Sequence, residues 1–125
     1  MKVLITGVGG FVGGHLARYL LQQPNTEVYG FTYFPTKEHP LLSEAGVILH
    51  QVDLNQEVHV RDLLQEIQPD HIYHLAAHSF VPESFASPWR TLSNNIRAQL
   101  NILQGMVELG LNARLLVVGS SEEYG

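Results

Sequence analysis

The spacing of apolar positions changes several times along the chain, and the changes fall in a regular order. Residues 2–6 (Lys-Val-Leu-Ile-Thr) form a short, largely apolar run bounded by Gly7, which predicts a buried strand. From Phe11 to Gln23 a helix is expected, with Val12, Leu16, Tyr19 and Leu20 sharing a face and Pro24-Asn25 ending it. Glu27 to Thr32 and Val47 to Gln51 read as the second and third strands. Between Asn55 and Gln68, Val60, Leu63, Leu64 and Ile67 fall at i, i+3, i+4 and i+7, one stripe of a helix that Pro69-Asp70 terminates. His71 to Ala76 and Arg114 to Val118 are near-continuously apolar, as strands covered on two faces tend to be. A long helix is expected between them, starting near Pro88 and ending at Gly110. It carries two apolar stripes: Leu92, Ile96, Leu100, Leu103 and Val107 form one, and Ala98, Ile102, Met106 and Leu109 the other. One can cover a sheet; the second fits either a broad buried face in a larger parent chain or a subunit contact.

Strands alternating with helices imply right-handed parallel crossovers and a doubly wound α/β sheet of order 3-2-1-4-5. The binding crevice of such a sheet lies at the carboxyl ends of strands 1 and 4, where the winding direction reverses.

Composition narrows the picture. With 125 residues, 45% of them hydrophobic, one packed domain is expected, and no repeat or linker divides it. A net charge of -5 with 15% charged residues gives no basic field for a nucleic acid or an anionic membrane surface. Any phosphate bound here must be held mostly by backbone groups. The absence of cysteine excludes disulfides, thiol nucleophiles and thiolate metal sites. Met1-Lys2 and the following apolar residues superficially suggest a secretory signal, but glycines at 7, 9, 10, 13 and 14 interrupt the stretch and no cleavage pattern follows. No run approaches the roughly 20 apolar residues of a membrane span, so a soluble, cytoplasmic protein is expected. His71 and His74 are three apart on an expected strand and point to opposite faces, and the seven histidines imply no metal site.

The strongest local signal is Thr6-Gly7-Val8-Gly9-Gly10-Phe11-Val12-Gly13, set between an expected strand and an expected helix. Gly7 permits a tight turn, Gly10 lets main chain approach a pyrophosphate with no β-carbon in the way, and Gly13 allows close helix-on-strand packing. The helix N-terminus then offers unpaired N–H groups and its dipole to the phosphates. In this context the motif points to a dinucleotide.

These residues resemble the extended short-chain dehydrogenase/reductases, whose fingerprint T-G-x-x-G-F-[IV]-G takes in Phe11 and Val12. The resemblance extends over all 125 residues and implies a Rossmann-like dinucleotide-binding domain that stops short of the family's last strands and substrate domain. By the resemblance, Thr32 ends the second strand beside the adenosine ribose, and Asp53-Leu54 reads the adenine amino group. Asp53 also suits a helix cap, and both roles can coexist. His74-Leu75-Ala76-Ala77 matches the family's H-L-A-A, whose small residues let main chain and ribose approach, and Val118 closes the fifth strand beside the cofactor. Asn95 falls in the N-x-x-[GA]-x-x-N-[LI]-L pattern; mid-helix asparagine is disfavoured by propensity, so a tertiary hydrogen bond is a reasonable motive.

Gly119-Ser120-Ser121-Glu122-Glu123-Tyr124-Gly125 resembles the [ST]-S-E-x-[YF]-G segment of the family's nucleotide-sugar branch. The likeness is to the reductases of GDP-4-dehydro-6-deoxymannose first and the GDP-mannose 4,6-dehydratases second. It implies a catalytic hydroxyl at Ser120, an acidic group at Glu122 that eliminates water in dehydratases and positions sugar in reductases, and a sugar-lining loop with Ser79, Val81 and Ser84. Ser121 and Glu123 read better as loop caps. The implied partner is a nucleoside-diphosphate sugar, and the implied assembly a homodimer through the helix around residues 90–109.

The family's proton donor, the tyrosine of Y-x-x-x-K, belongs beyond Gly125. A literal match at Tyr33-Phe34-Pro35-Thr36-Lys37 follows the second strand, and Pro35 forbids the helical turn that would set lysine beside tyrosine. Thr32 stands where NAD enzymes of the family carry an acid, so NADP is favoured over NAD, with Lys37 the nearby cation. A non-catalytic nucleotide-binding regulatory module is the competing expectation.

Overall fold

The computed structural model describes residues 1–77 and 86–118. Five strands, β1 (Lys2–Thr6), β2 (Glu27–Thr32), β3 (Ile48–Gln51), β4 (His71–His74) and β5 (Arg114–Val117), pair in parallel in the order β3-β2-β1-β4-β5. This is the expected Rossmann-like order. The α-helices lying wholly within the described residues are α1 (Phe11–Leu21), α2 (Pro40–Ala45), α3 (Glu57–Ile67) and α4 (Pro88–Leu109).

Side chains alternate across a strand, so the central β1 feeds two cores. Val3 and Ile5 pack with Ala17 of α1 and Leu42 of α2 on one face. Leu4 points the other way, into a cluster of Phe31, Leu64, Ile72 and Ile102 under α3 and α4. Full burial of each such aliphatic side chain contributes ~1.5–3 kcal/mol, and both faces of β1 are covered.

The expected buried face of α1 is corrected. Val12 is 62% and Tyr19 61% exposed, while Gly13 and Ala17 face the sheet and Leu16 and Leu20 flank them. The close approach at Gly13 sets the helix rotation: a Cβ there would collide with the Gly7 carbonyl oxygen, so the helix settles glycine-first. The expectation that β5 is covered on two faces is also corrected. It is an edge strand, paired among the described residues only with β4, and Leu116 and Val117 are 49% and 43% exposed.

Element ends differ by one or two residues, each for a local reason. β4 ends at His74 because its ladder partner β1 ends at Thr6, where the chain turns. Helix α3 begins at Glu57 because residues 53–56 close a turn first, with Asp53 Oδ1 accepting from Asn55 N at 2.9 Å and Asp53 O from Gln56 N at 2.9 Å. Helix α1 stops at Leu21 as Gln22 and Gln23 bond back three residues, to Tyr19 and Leu20. The segment after β2 folds more than its sequence suggests: a 3-10 turn (Thr36–Glu38) leads into α2, which Gly46 closes at φ 109. Lys37 lies in that turn and Tyr33 before Pro35, so the two share no helical turn, as the proline requires.

Candidate functional site

The carboxyl ends of β1 to β4 converge on the turn that follows β1. Gly7 enters it at φ 70, and a Cβ there would lie 2.8 Å from the Ala76 nitrogen, so β1 and β4 approach closely at that point. The N–H groups of Gly7 and Val8 both reach the Phe31 carbonyl, at 3.1 and 3.4 Å, which draws the turn over the end of β2. Val8 is fully buried and fills the space above Gly30, where an added Cβ would sit 2.5 Å from Val8 Cγ1. Gly10 N donates to Gly7 O at 3.1 Å and closes the turn.

Gly10 is the N-cap of α1, at φ -77 and ψ 173, and carries no capping side chain. The opening N–H groups of the helix therefore receive no acceptor from that position. A Cβ on Gly10 would meet only the Gly7 carbonyl oxygen, at 3.4 Å, whereas one on Gly13 would come within 2.8 Å of Val8 Cα. Gly13 is thus spent on packing, and Gly10 presents bare main chain. That combination of an uncapped helix start and a face without side chains fits a pyrophosphate. Gly9, also exposed, differs in that the His39 ring lies 2.6 Å from where its Cβ would stand. A shallow groove of about 310 Å³ runs along this side of the turn, lined among others by Gly9, Gly10, His15, Arg18, Glu38 and His39.

A buried clasp joins β1 to β4. Ala76 N donates to Thr6 Oγ1 at 3.2 Å, and Thr6 Oγ1 lies 2.7 Å from His74 Nδ1. Thr6 Oγ1 has two acceptor lone pairs and one proton, so beside the bond from Ala76 it pairs with His74 Nδ1 in either neutral tautomer. Burial pushes the His74 pKa down, which keeps the ring neutral.

The other expected site residues are distributed as follows. Thr32 is buried and its hydroxyl donates to the Phe34 carbonyl. Asp53 closes the turn before α3, whose N-cap is Gln56, so it is a turn former rather than the cap itself. Leu54 is buried, and its carbonyl accepts from Asn101 Nδ2 of α4 at 2.7 Å. Asn95 lies half-buried on α4, Phe11 and Val12 are exposed at the start of α1, and Leu75 and Ala76 are half-buried beyond β4 with Ala77 exposed. Val118 follows β5 and is 60% exposed. Ser79, Val81, Ser84, Ser120 and Glu122 lie outside the described residues. The sequence reading gave no separate role to His39, to the Thr6–His74 pair, whose members open two of the quoted motifs, or to Asn101, the second asparagine of the N-x-x-[GA]-x-x-N-[LI]-L pattern.

Similarity to known proteins covers the whole chain. The family model described as GDP-mannose 4,6 dehydratase matches residues 4–125. A GDP-6-deoxy-D-mannose reductase of Pseudomonas aeruginosa is 33% identical over 124 residues, 99% of this chain and 35% of that protein. A GDP-mannose 4,6-dehydratase of Vibrio cholerae is 35% identical over 136 residues, again 99% of this chain and 36% of that protein. The chain thus spans about a third of the length of the curated relatives it matches. Among solved structures, a UDP-glucose-4-epimerase from Stenotrophomonas maltophila with bound NAD and formylated UDP-arabinopyranose superposes with a TM-score of 0.84 at 26% identity, covering 100% of this chain and 38% of that one.

Proposed function

The chain belongs to the GDP-mannose 4,6-dehydratase family, and from that premise we propose that it is the NAD(P)-binding part of a cytoplasmic enzyme that reduces or dehydrates a GDP-sugar. The observation that carries this reading is the bare Gly10 main chain at the uncapped start of α1. Phosphate groups placed there gain N–H donors and the positive end of the helix dipole without displacing any side chain. The bound nicotinamide supplies hydride exchange. The protein's own described residues hold it: the Thr6–His74 clasp keeps Gly7 beside Ala76, and the Asp53 turn sets a carboxylate at the adenosine end. Ser120 is assigned the hydroxyl that orients the sugar oxygen and Glu122 the acidic group beside it, with Ser79, Val81 and Ser84 lining the sugar; these assignments rest on the resemblance of their segments.

NADP is the preferred cofactor in this reading. No carboxylate stands at Thr32 to repel a 2′-phosphate, and Lys37 is not the lone candidate cation, since Arg18 lines the groove beside Gly9 and Gly10, together with Glu38. Calorimetric titration of the full-length protein should give tighter binding of NADP than NAD, and Arg18→Ala should cost NADP about tenfold while sparing NAD. Failure to bind either dinucleotide would defeat the reading. A reductase should turn over GDP-4-dehydro-6-deoxymannose with NADPH, and a dehydratase GDP-mannose; we favour the former.

A second copy of the chain is the proposed partner for the outer stripe of α4. Ile96 and Val107 are 61% and 82% exposed there, and Leu92, Leu100 and Leu103 complete an apolar strip along the helix. Sedimentation should show a dimer that Leu100→Lys with Val107→Glu converts to monomer; a monomeric wild type would overturn this assignment.

A further inference from the structure

The buried face of α4 is built from Ala98, Asn101, Ile102 and Gly105, four residues at the spacing of one helical stripe. Three are small or aliphatic and serve packing: Ala98 and Ile102 join the core under α3, and Gly105 admits Leu64, whose Cδ1 would lie 2.8 Å from an added Cβ. The fourth is an amide, 5% exposed, in a position where leucine or alanine would favour both the helix and the core. Its Nδ2 crosses to the loop after β3 and donates to the Leu54 carbonyl at 2.7 Å, between residues 47 apart in sequence. Leu54 directly follows Asp53. On its other sides the loop is fixed by Val52 N, which donates to Thr32 O at 2.7 Å, and by the Asp53 turn itself.

We propose that Asn101 is a positioning residue for the adenosine end of the cofactor, acting through the Leu54 carbonyl on the carboxylate of Asp53. One Asp53 oxygen accepts from Asn55 N at 2.9 Å, and the other has no partner among the described residues. That second oxygen is the one left to accept from an exocyclic amino group. Its direction depends on the path of residues 52–55, and the Asn101 amide ties that path to α4 rather than to the strand alone. Loss of the amide leaves a buried carbonyl unsatisfied, which drives the loop to move toward water or another donor. The inference rests on the dinucleotide reading above and adds a residue that touches neither the cofactor nor the carboxylate.

The test compares the adenine dinucleotide with its hypoxanthine analogue, which lacks the 6-amino group, on full-length wild type and Asn101→Leu. Wild type should prefer the adenine form about tenfold. Asn101→Leu should bind the hypoxanthine form as wild type does, within about twofold, and lose the preference. Equal weakening of both forms, or an intact preference in Asn101→Leu, overturns the inference. A wild type that binds both equally removes the adenine role of Asp53, and one that binds neither removes the cofactor reading with it. Should Asn101→Leu fail to fold, Asn101→Thr supplies a shorter donor for the same titrations. Amide hydrogen exchange is independent of ligand: the Asn55 and Gln56 N–H groups should exchange at least tenfold faster in the variant while those of β1 and β4 are unchanged, and unchanged loop exchange overturns the inference as well.

Discussion

The turn after β1 and the loop after β3 flank the same crevice, yet they are held by opposite means. The β1 turn is shaped by what is missing: Gly7 takes φ 70, Gly13 lets α1 sit on the turn, and Gly10 leaves main chain open. Its hydrogen bonds are backbone to backbone, with Gly7 and Val8 sharing the Phe31 carbonyl. The β3 loop is shaped by side chains that are present: the Asp53 carboxylate closes it from within and the Asn101 amide grips it from a helix far along the chain. A backbone-built site tolerates almost no side-chain addition, whereas a side-chain-built one can be tuned or weakened one group at a time. The strongest challenge to that contrast is Gly13→Val. The added atoms meet the Gly7 carbonyl and Val8 Cα, neither of which can move without opening the turn. A loss of about 3 kcal/mol or more is expected in urea denaturation, together with loss of cofactor binding, and a loss under 1 kcal/mol would mean the helix can slide.

Gly10→Asp separates stability from binding. Gly10 has the extended backbone of an N-cap, and aspartate is among the best residues there. The variant should therefore be as stable as wild type or more so by up to ~1 kcal/mol, as its carboxylate takes the open N–H groups. Dinucleotide affinity should fall at least a hundredfold, roughly 2.7 kcal/mol, because the same carboxylate occupies and repels the phosphate position. Loss of both stability and binding would show that Gly10 is there for the turn and not for a ligand.

The same contrast explains what the sequence disclosed. The strand order followed from the alternation of strands and helices, and the glycine turn and the α3 stripe of Val60, Leu63, Leu64 and Ile67, all four buried, were legible in local spacing. The α1 face misled because hydrophobicity pointed to Val12 and Tyr19 while close approach at Gly13 decided the rotation. Helix α2 was missed because six residues are too few for a periodic signal, and only Leu42 of the six is buried. Asn101–Leu54 and Thr6–His74 join residues 47 and 68 apart, and no pattern along one chain announces such a meeting.

His74 tests the clasp between β1 and β4. Its folded pKa lies below the ordinary 6.5 because burial disfavours the charged ring. Above 6.5 the ring is neutral in both folded and unfolded chains and costs nothing. As pH falls through 6.5 the unfolded chain takes up a proton that the native one resists, so stability drops until the folded pKa is reached. The slope in that window is at most ~1.4 kcal/mol per pH unit. His74→Asn keeps a hydrogen-bonding partner for the Thr6 hydroxyl without titrating, and its stability between pH 7.5 and 5 should fall less than that of wild type. Identical pH profiles would mean that His74 titrates as freely as an exposed histidine and that the Thr6 bond does not depend on a neutral ring.

The smallest effect is expected where the same helix makes its charged contact. Arg61 of α3 donates to Glu108 of α4 at 3.2 Å, with the two side chains 37% and 46% exposed. Water screens such a pair, and holding two long side chains in register offsets part of the attraction, so Arg61→Ala should cost ~0.2–1 kcal/mol. That loss should shrink in 1 M salt, where the screening length falls to about 3 Å, whereas the effect of Asn101→Leu on stability should not depend on salt. The outcome decides which contact fastens α4 to the rest of the domain. If Arg61→Ala proved the more damaging of the two, α4 would be tethered at its exposed C-terminal half, and the buried amide at Leu54 would be a consequence of that docking instead of its cause.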